Sequence, residues 1–380
     1  MATLIAGSRK TKKGWFRICP VRHVLLLLSL LVIAAYFLLR GNHDLMAFLS
    51  ERFVRPCHRA LGRATNAFSF SVAELIYALL IVAGLVYIIK SILRLVFRGD
   101  RLRRAYKIII TLCTAAGLFY GGFCVLWGVY YYGDSFCEKI GLEDRPVSAE
   151  QLETVTRYFA DIANEYADRV PRDGEGRFCE PRDEILRRGA EIYLNAELSF
   201  PVLEGDELRP KPIICSKIMS CIQFTGFFFP FTGEANLNMD SPAFLLASTV
   251  AHELAHQRGV AKEQEANFVA VLASMESGDA TYIYSSAVLA YIYLGNALYE
   301  ADYEAWEQIY YSQNELVRLD LRENNEYWDK YEDTPASKAS DAVYETFLQS
   351  YGQTLGLKSY GACVDLLVAY YEAAAREATQ

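Results

Sequence analysis

One stretch of this 380-residue chain places two histidines four residues apart with a glutamate beside the first: Thr249-Val250-Ala251-His252-Glu253-Leu254-Ala255-His256-Gln257-Arg258-Gly259. On a helix, positions i and i+4 share a face, so both imidazoles reach one metal ion, while Glu253, about 100° further round, addresses a water held there. That is the chemistry of metal-assisted hydrolysis, in which the metal polarises a carbonyl and activates water and the carboxylate moves the proton. Five histidines occur in the chain, and only His252 and His256 lie beyond residue 132. Phe244, Leu245, Leu246 and Val250 before the motif and Gly259 after it describe a helix packed in a core. Two imidazoles and a carboxylate buried there without partners would be costly.

A catalytic zinc takes three protein ligands and keeps one position open. With no further histidine in this half, the third is a carboxylate or, less favoured, a cysteine, and Glu263-Gln264-Glu265-Ala266-Asn267 follows almost at once. If the next helix begins near Ala261 and packs antiparallel at the usual separation of roughly 8 to 10 Å, Glu265 stands level with His256. Glu265 is therefore the expected third ligand. Glu263 is the competitor, although an acid in a first helical turn commonly serves only the dipole. Glu276 lies too far along the helix.

The elements that must position these residues divide the chain in two. Residues 1–132 carry a balance of +14 and the remainder −22, giving the net −8, and 52% of the chain is hydrophobic. This describes a membrane anchor, 1–132, carrying a solvated domain, 133–380. Apolar runs at Val24–Leu39, Val72–Val96 and Ile108–Tyr132 are long enough to cross a bilayer. No small-x-small cleavage site follows the first run, so it is retained. Trp127 and Tyr130 to Tyr132 form the expected aromatic belt. Arg9, Lys10, Lys12, Lys13, Arg17 and Arg22 precede the first span, and seven basic residues lie from Lys90 to Lys107, against five from Arg40 to Arg63. That asymmetry expects a cytoplasmic N-terminus and residues 133–380 outside a bacterial cell membrane. Arg52, Arg55, Arg59 and Arg63 recur at helical spacing beside Met46, Leu49, Phe53 and Leu61, the pattern of an interfacial amphipathic helix. Basic charge beside spans is topological, so no nucleic acid partner is expected.

In the second half, Ser148 to Gln151 fits a capping box opening a helix that runs toward Pro171, and Asp183–Leu198 is a second helix. Short strands are expected to end near Phe229 and to cover Ala235–Asn238. The motif helix runs from about Pro242 to Arg258. Glu263–Met275 and Tyr282–Leu298 are buried helices, the latter a core helix rather than a fourth span. Helices over 301–330, 340–355 and 358–377 complete a mainly helical α+β domain with a small sheet. No C-x-x-C occurs among nine cysteines. Outside a cell, Cys215–Cys221 or Cys137–Cys179 could bridge, with free buried thiols the simpler expectation.

His252-Glu253-Leu254-Ala255-His256 followed by Glu263-Gln264-Glu265-Ala266-Asn267-Phe268-Val269-Ala270 resembles the zincins of glutamate-ligand type, whose third ligand is the glutamate of a Glu-Ala-Asn motif. The whole plan resembles an uncharacterised family of bacterial membrane proteins with three N-terminal spans and an external zincin-like domain. The segments that carry this are Phe229 to Asn238, His252 to Gly259, Glu263 to Ala270, and Tyr284-Ser285. Lys262 stands where a metzincin would have its third histidine, so that variant fails. The resemblance implies a zinc metallopeptidase acting on a peptide or protein substrate, with Glu253 as general base. It also implies an extended substrate pairing with Gly226–Asn238, placing Gly233, Glu234 and Asn236 on a substrate strand. Tyr284 would donate to an oxyanion, although a plain core tyrosine is the competing expectation. The alternative function is a non-catalytic envelope sensor or scaffold with structural zinc, and a further one is a signalling protease facing the cytoplasm.

Overall fold

A computed structural model describes residues 18–97, 100–143, 145–351 and 359–378. The basic residues from Arg9 to Arg17, Arg98, and the helix break expected at Gly356 lie outside them. The structure is mostly helical with one small sheet. By contacts the chain forms two compact units, Met1–Gly41 with Ile76–Val125, and Asn42–Leu75 with Leu126–Gln380.

Three helices are long and apolar enough to cross a membrane: Pro20–Leu39, Val72–Phe97 and Arg101–Leu126. Their leucine, isoleucine and valine side chains are largely exposed, as lipid-facing residues are. This is a membrane protein. The third helix stops at Leu126, so the expected aromatic belt is instead a folded segment of the second unit: Trp127 and Tyr130 are buried, and Gly128–Tyr132 forms a short 3-10 turn.

The second unit also takes in the segment between the first two apolar helices. Three of its arginines reach across to the loop before the sheet. Arg55 donates to the carbonyls of Val202 and Glu204, at 2.8 and 2.6 Å, while Arg59 and Arg63 both grip Asp206, at 3.0 and 2.6 Å. Helix Arg55–Thr65 is thereby clamped to the loop before the sheet. The same segment ends on Ser71, whose hydroxyl donates to Asn236 Oδ1 at 2.6 Å and accepts from the Glu74 amide at 2.9 Å. Glu234 accepts from the amides of Val72 and Ala73, at 3.1 and 2.8 Å, satisfying otherwise orphaned donors of a helix start. Glu74, placed near a membrane interface by its sequence position, accepts from the amides of Ile214 and Cys215.

The sheet has three strands, β1 (Lys211–Ile213), β2 (Gly226–Phe229) and β3 (Glu234–Asn238), in the order β1-β3-β2. β1 runs parallel to β3 and β2 antiparallel to it. β2 and β3 lie where the aromatic and β-branched residues place them. β1 falls in a stretch without strand signal, and it forms because β3 offers it an edge. The capping box is realised, with Ser148 Oγ accepting from the Gln151 amide and Gln151 Oε1 from the Ser148 amide. The 183–198 stretch breaks into Arg182–Gly189 and Tyr193–Ser199, and the 301–330 stretch into Tyr303–Ser312 and Glu315–Trp328. Helices Ala149–Tyr166 and Ala280–Ala301 pack together in the core, so the latter is a core helix as expected. Cys215 and Cys221 do not bridge, and neither do Cys137, which is buried, and Cys179, which is exposed.

Gly233 shows how tightly the two segments of this unit meet. Its φ is +68°, and a Cβ there would come within 2.6 Å of the His58 carbonyl oxygen and 2.8 Å of the Gly62 amide. Gly278 has a similar φ of +73° with open space around it. Gly278→Ala should cost about 1 kcal/mol, the left-handed backbone penalty alone. Gly233→Ala should cost about 2–4 kcal/mol because backbone must also move. Parallel melts in detergent check the difference, and equal losses would mean that helix Arg55–Thr65 is not seated on β3.

Candidate metal centre

The motif helix spans Leu246–Gln257, after a 3-10 turn at Ala243–Leu245, and the next helix is Glu263–Glu276. Between them Gly259 takes a φ of +92° and the Val260 amide returns to the Ala255 carbonyl. That left-handed glycine is what ends the helix. A Cβ at Gly259 would also meet the Tyr130 ring at 2.9 Å. The turn points the Val260 carbonyl back at the motif, where it meets His256 Nδ1 at 2.6 Å.

A carbonyl can only accept, so Nδ1 of His256 carries a hydrogen and Nε2 faces the other way. His252 is oriented similarly, with Nδ1 against Asn267 Oδ1 at 2.8 Å. Both Nε2 atoms converge on Glu263, His252 on Oε2 at 3.3 Å and His256 on Oε1 at 3.7 Å. Ligand atoms of His252, His256 and Glu263 lie within 4.8 Å of one another. Two imidazole nitrogens and one carboxylate oxygen, each imidazole held from outside by a hydrogen bond at Nδ1, make a donor set that fits a zinc site with one open position. The side chains of His252 and Glu263 keep 15% and 20% exposure.

Without a metal, these groups neutralise one another. Burial opposes charge on His256, yet Glu263 facing it raises its pKa to about 9. Burial alone would raise Glu263, but the imidazoles, His256 foremost, hold it well below the usual carboxylate range. A metal would take the place of that proton.

Glu253, on the same helix, is buried and its Oε2 has no hydrogen-bond partner. Burial raises its pKa to about 7, with the two histidines partly offsetting this. Gly226 opens β2 directly over it, since a Cβ there would stand 2.7 Å from Glu253 Cγ and Oε1. An unpaired buried carboxylate beside a donor cluster is the arrangement a proton-transfer group has, and a structural ion would not require it.

The remaining expected residues have other places. Glu265 faces away from the histidines: its Oε2 accepts from the Phe136 amide at 2.7 Å and the Cys137 amide at 3.4 Å, and Lys262 pairs with Oε1 at 3.4 Å. The reason is where the helix starts. Lys262 is the extended residue before it, so Glu263 is its first residue and Glu265 its third, roughly 200° apart around the axis. Tyr284 is a core residue, its hydroxyl on Asp320 and its ring under the Arg172 guanidinium. Gly233, Glu234 and Asn236 do not form a substrate strand. Glu234 and Asn236 lie on the central strand and hold Val72, Ala73 and Ser71. β2, the outer strand, is the one beside Glu253.

Several residues at the site carry little signal in the sequence. Trp127 stands edge-on to His256 with ring centroids 5.6 Å apart and donates from Nε1 to Tyr131. His58, buried with neither ring nitrogen bonded, packs behind it against Tyr130 and Phe228, and burial pulls its pKa to about 4. Tyr344, on helix Pro335–Ser350, lies near enough to Glu263 that the carboxylate adds to burial in raising its phenol well above the usual range. All three reach the site by tertiary folding. Asn267 was legible, because it lies four residues after Glu263 and so shares its face.

A carboxyl whose folded pKa stands above its unfolded value contributes most at low pH and loses that contribution as pH rises through the folded value. For Glu253 this runs from about 4.5 to about 7. Glu253→Gln should therefore stabilise the metal-free protein at pH 8 by on the order of 3 kcal/mol, and the gain should shrink as pH falls toward 5. Melting curves of both proteins in chelator across that range check this, and a pH-independent difference would contradict it.

The chain matches the family described as "Protein of unknown function (DUF3810)" over residues 49–368. No curated protein and no solved structure matches it. The match runs from the segment between the first two apolar helices through the His252, His256 and Glu263 cluster to the last helix, and on that extent the chain belongs to the DUF3810 family.

Proposed function

We propose that this protein is a membrane-anchored, zinc-dependent metallopeptidase. The observation that carries the reading is the convergence of His252, His256 and Glu263 beside the unpartnered Glu253 carboxylate. A zinc ion supplies, when bound, Lewis acidity toward a carbonyl oxygen and toward water. Glu253 Oε2 takes the proton of the attacking water and returns it to the leaving amine. Asn267 and Val260 keep each imidazole in the tautomer whose Nε2 is free to ligate. Resemblance to glutamate-ligand zincins supports a peptide as substrate, and the outer strand β2 runs alongside the proton-transfer group.

The lipid bilayer is the second partner in this reading. Three crossings put the segment after the first span and everything after the third on one side, in keeping with their folding as one unit. The five basic residues from Arg40 to Arg63 weigh against an external location by count alone. Arg55, Arg59 and Arg63 are held by Val202, Glu204 and Asp206, so a folding role accounts for them. The reading keeps the N-terminus in the cytoplasm of a bacterial cell and the second unit outside. A fragment beginning at 133 would lack helix Arg55–Thr65, so tests belong on the full chain.

Purified in detergent, the protein should hold one zinc, which His256→Ala loses. Glu253→Gln should keep the zinc and lose about 10²- to 10⁴-fold in peptide hydrolysis. Zinc retained with equal turnover, or none, by wild type and Glu253→Gln over a broad peptide panel would leave a structural metal in its place. In intact cells, Cys179, Cys215 and Cys221, all exposed, should react with an impermeant thiol reagent. Protection until the membrane is opened would reverse the orientation.

A further inference from the structure

Large apolar side chains exposed one at a time are ordinary on a protein surface. One group on the second unit is of another kind. Ile214 and Ile218 are 84% and 63% exposed, and Phe68 and Phe70, their rings paired at 5.4 Å, are 47% and 42% exposed. They come from two stretches far apart in sequence. One is the exposed run Asn66 to Phe70, and the other is the turn that leaves β1 for the short helix Ser216–Cys221.

Both stretches are tied to one point, the first turn of helix Val72–Phe97. That helix begins inside the second unit, which holds its residues as far as Leu75. Phe70 is followed by Ser71, whose hydroxyl accepts from the Glu74 amide and donates to Asn236 on β3. Glu74 in turn accepts from the amides of Ile214 and Cys215, at 2.9 and 2.8 Å. Lys211 on β1 donates from Nζ to the Phe68 carbonyl. The backbone that carries all four apolar side chains is thus bonded to, or directly precedes, the start of a helix long and apolar enough to cross a membrane. Leu75, next to Glu74, is itself 46% exposed. Lys217 stands exposed between the two isoleucines, and a cation among apolar residues is the composition that an interfacial surface presents to lipid.

We infer that Phe68, Phe70, Ile214 and Ile218 form a lipid-contacting patch that seats the second unit in the bilayer which helix Val72–Phe97 crosses. Continuity decides the occupant. The patch begins where the apolar helix begins, and apolar side chains at that level bury themselves by entering the boundary between headgroups and acyl chains. Lys217 would meet the phosphate layer from the same turn, its long stem reaching outward as lysines do at such a boundary. Glu74 and Ser71 act as the joints. Their hydrogen bonds fix the turn after β1 and the run before the helix to one helical turn, so the patch keeps a set depth. The inference holds whether or not a metal binds at the histidines, since none of these residues belongs to that cluster.

The test uses the full wild-type chain in phosphatidylcholine nanodiscs that contain a fraction of lipid with a photoreactive diazirine near the head of its acyl chain. After irradiation, lipid adducts are mapped by peptide mass spectrometry. They should fall in the three apolar helices, which serve as the internal reference, and also on 214–218. Leu198 and Val343, 82% and 71% exposed, give the comparison, and the yield on 214–218 should exceed theirs by about 10-fold or more. Adducts confined to the apolar helices, or a yield on 214–218 no higher than on Leu198 and Val343, would overturn the inference. A dimer in native mass spectrometry with 214–218 free of lipid would overturn it too, because a second copy would then cover the patch. None of these outcomes bears on the metal centre.

Discussion

The hydrogen bond from His256 Nδ1 to the Val260 carbonyl, at 2.6 Å, is the constraint on which the site depends. It exists only because Gly259 takes a left-handed turn and sends the chain back along the motif helix. The turn fixes where the next helix begins, and the start fixes which residues face the imidazoles. From Glu263 as first residue, positions 263 and 267 fall on one face, so a single helix supplies both the carboxylate that faces the two Nε2 atoms and the amide that holds His252. Position 265 falls on the opposite face, where its carboxylate meets the amides of Phe136 and Cys137 instead. One turn thus gives two neighbouring glutamates different work.

Around this hairpin the second unit is assembled from distant pieces of chain. Helix Arg55–Thr65 is clamped by Glu204 and Asp206, and its His58 packs behind Trp127 and Phe228. The segment after the third apolar helix, with Trp127, Tyr130 and Tyr131, fills the space between that histidine and the ligand cluster. Arg55, Arg59 and Arg63, whose spacing suggests a membrane surface, and Trp127 and Tyr130, whose position suggests a headgroup belt, make contacts within this folded unit. The buried carboxylate of Glu253, unpartnered at Oε2, is a cost this packing accepts.

How much of this is legible in the sequence follows from the range of the interactions. The three apolar helices, the capping box at Ser148, strands β2 and β3 and the motif helix depend on neighbours a few residues away, and composition and periodicity show them. The pair His252 and His256 with Glu253 is legible because helical spacing alone makes it a site. The choice between Glu263 and Glu265 turned on a helix boundary displaced by two residues, the quantity that pattern reading fixes least well. Asn267 at four residues from Glu263 carried the missing signal. β1, the clamp on Arg55, Arg59 and Arg63, and the approach of Tyr344 are set by contacts over 25 to 150 residues, which one sequence does not encode in any local pattern.

The most direct test of the account is the coordination of the ion itself. X-ray absorption at the zinc edge on the purified full chain, with anomalous diffraction where crystals allow, reads ligand types and positions without reference to any substrate. The account predicts two imidazole nitrogens near 2.0–2.1 Å and a carboxylate oxygen near 2.0–2.2 Å, with the anomalous peak between His252, His256 and Glu263. Sulfur in the first coordination sphere, a peak at Glu265, or no zinc between the two histidines would contradict it.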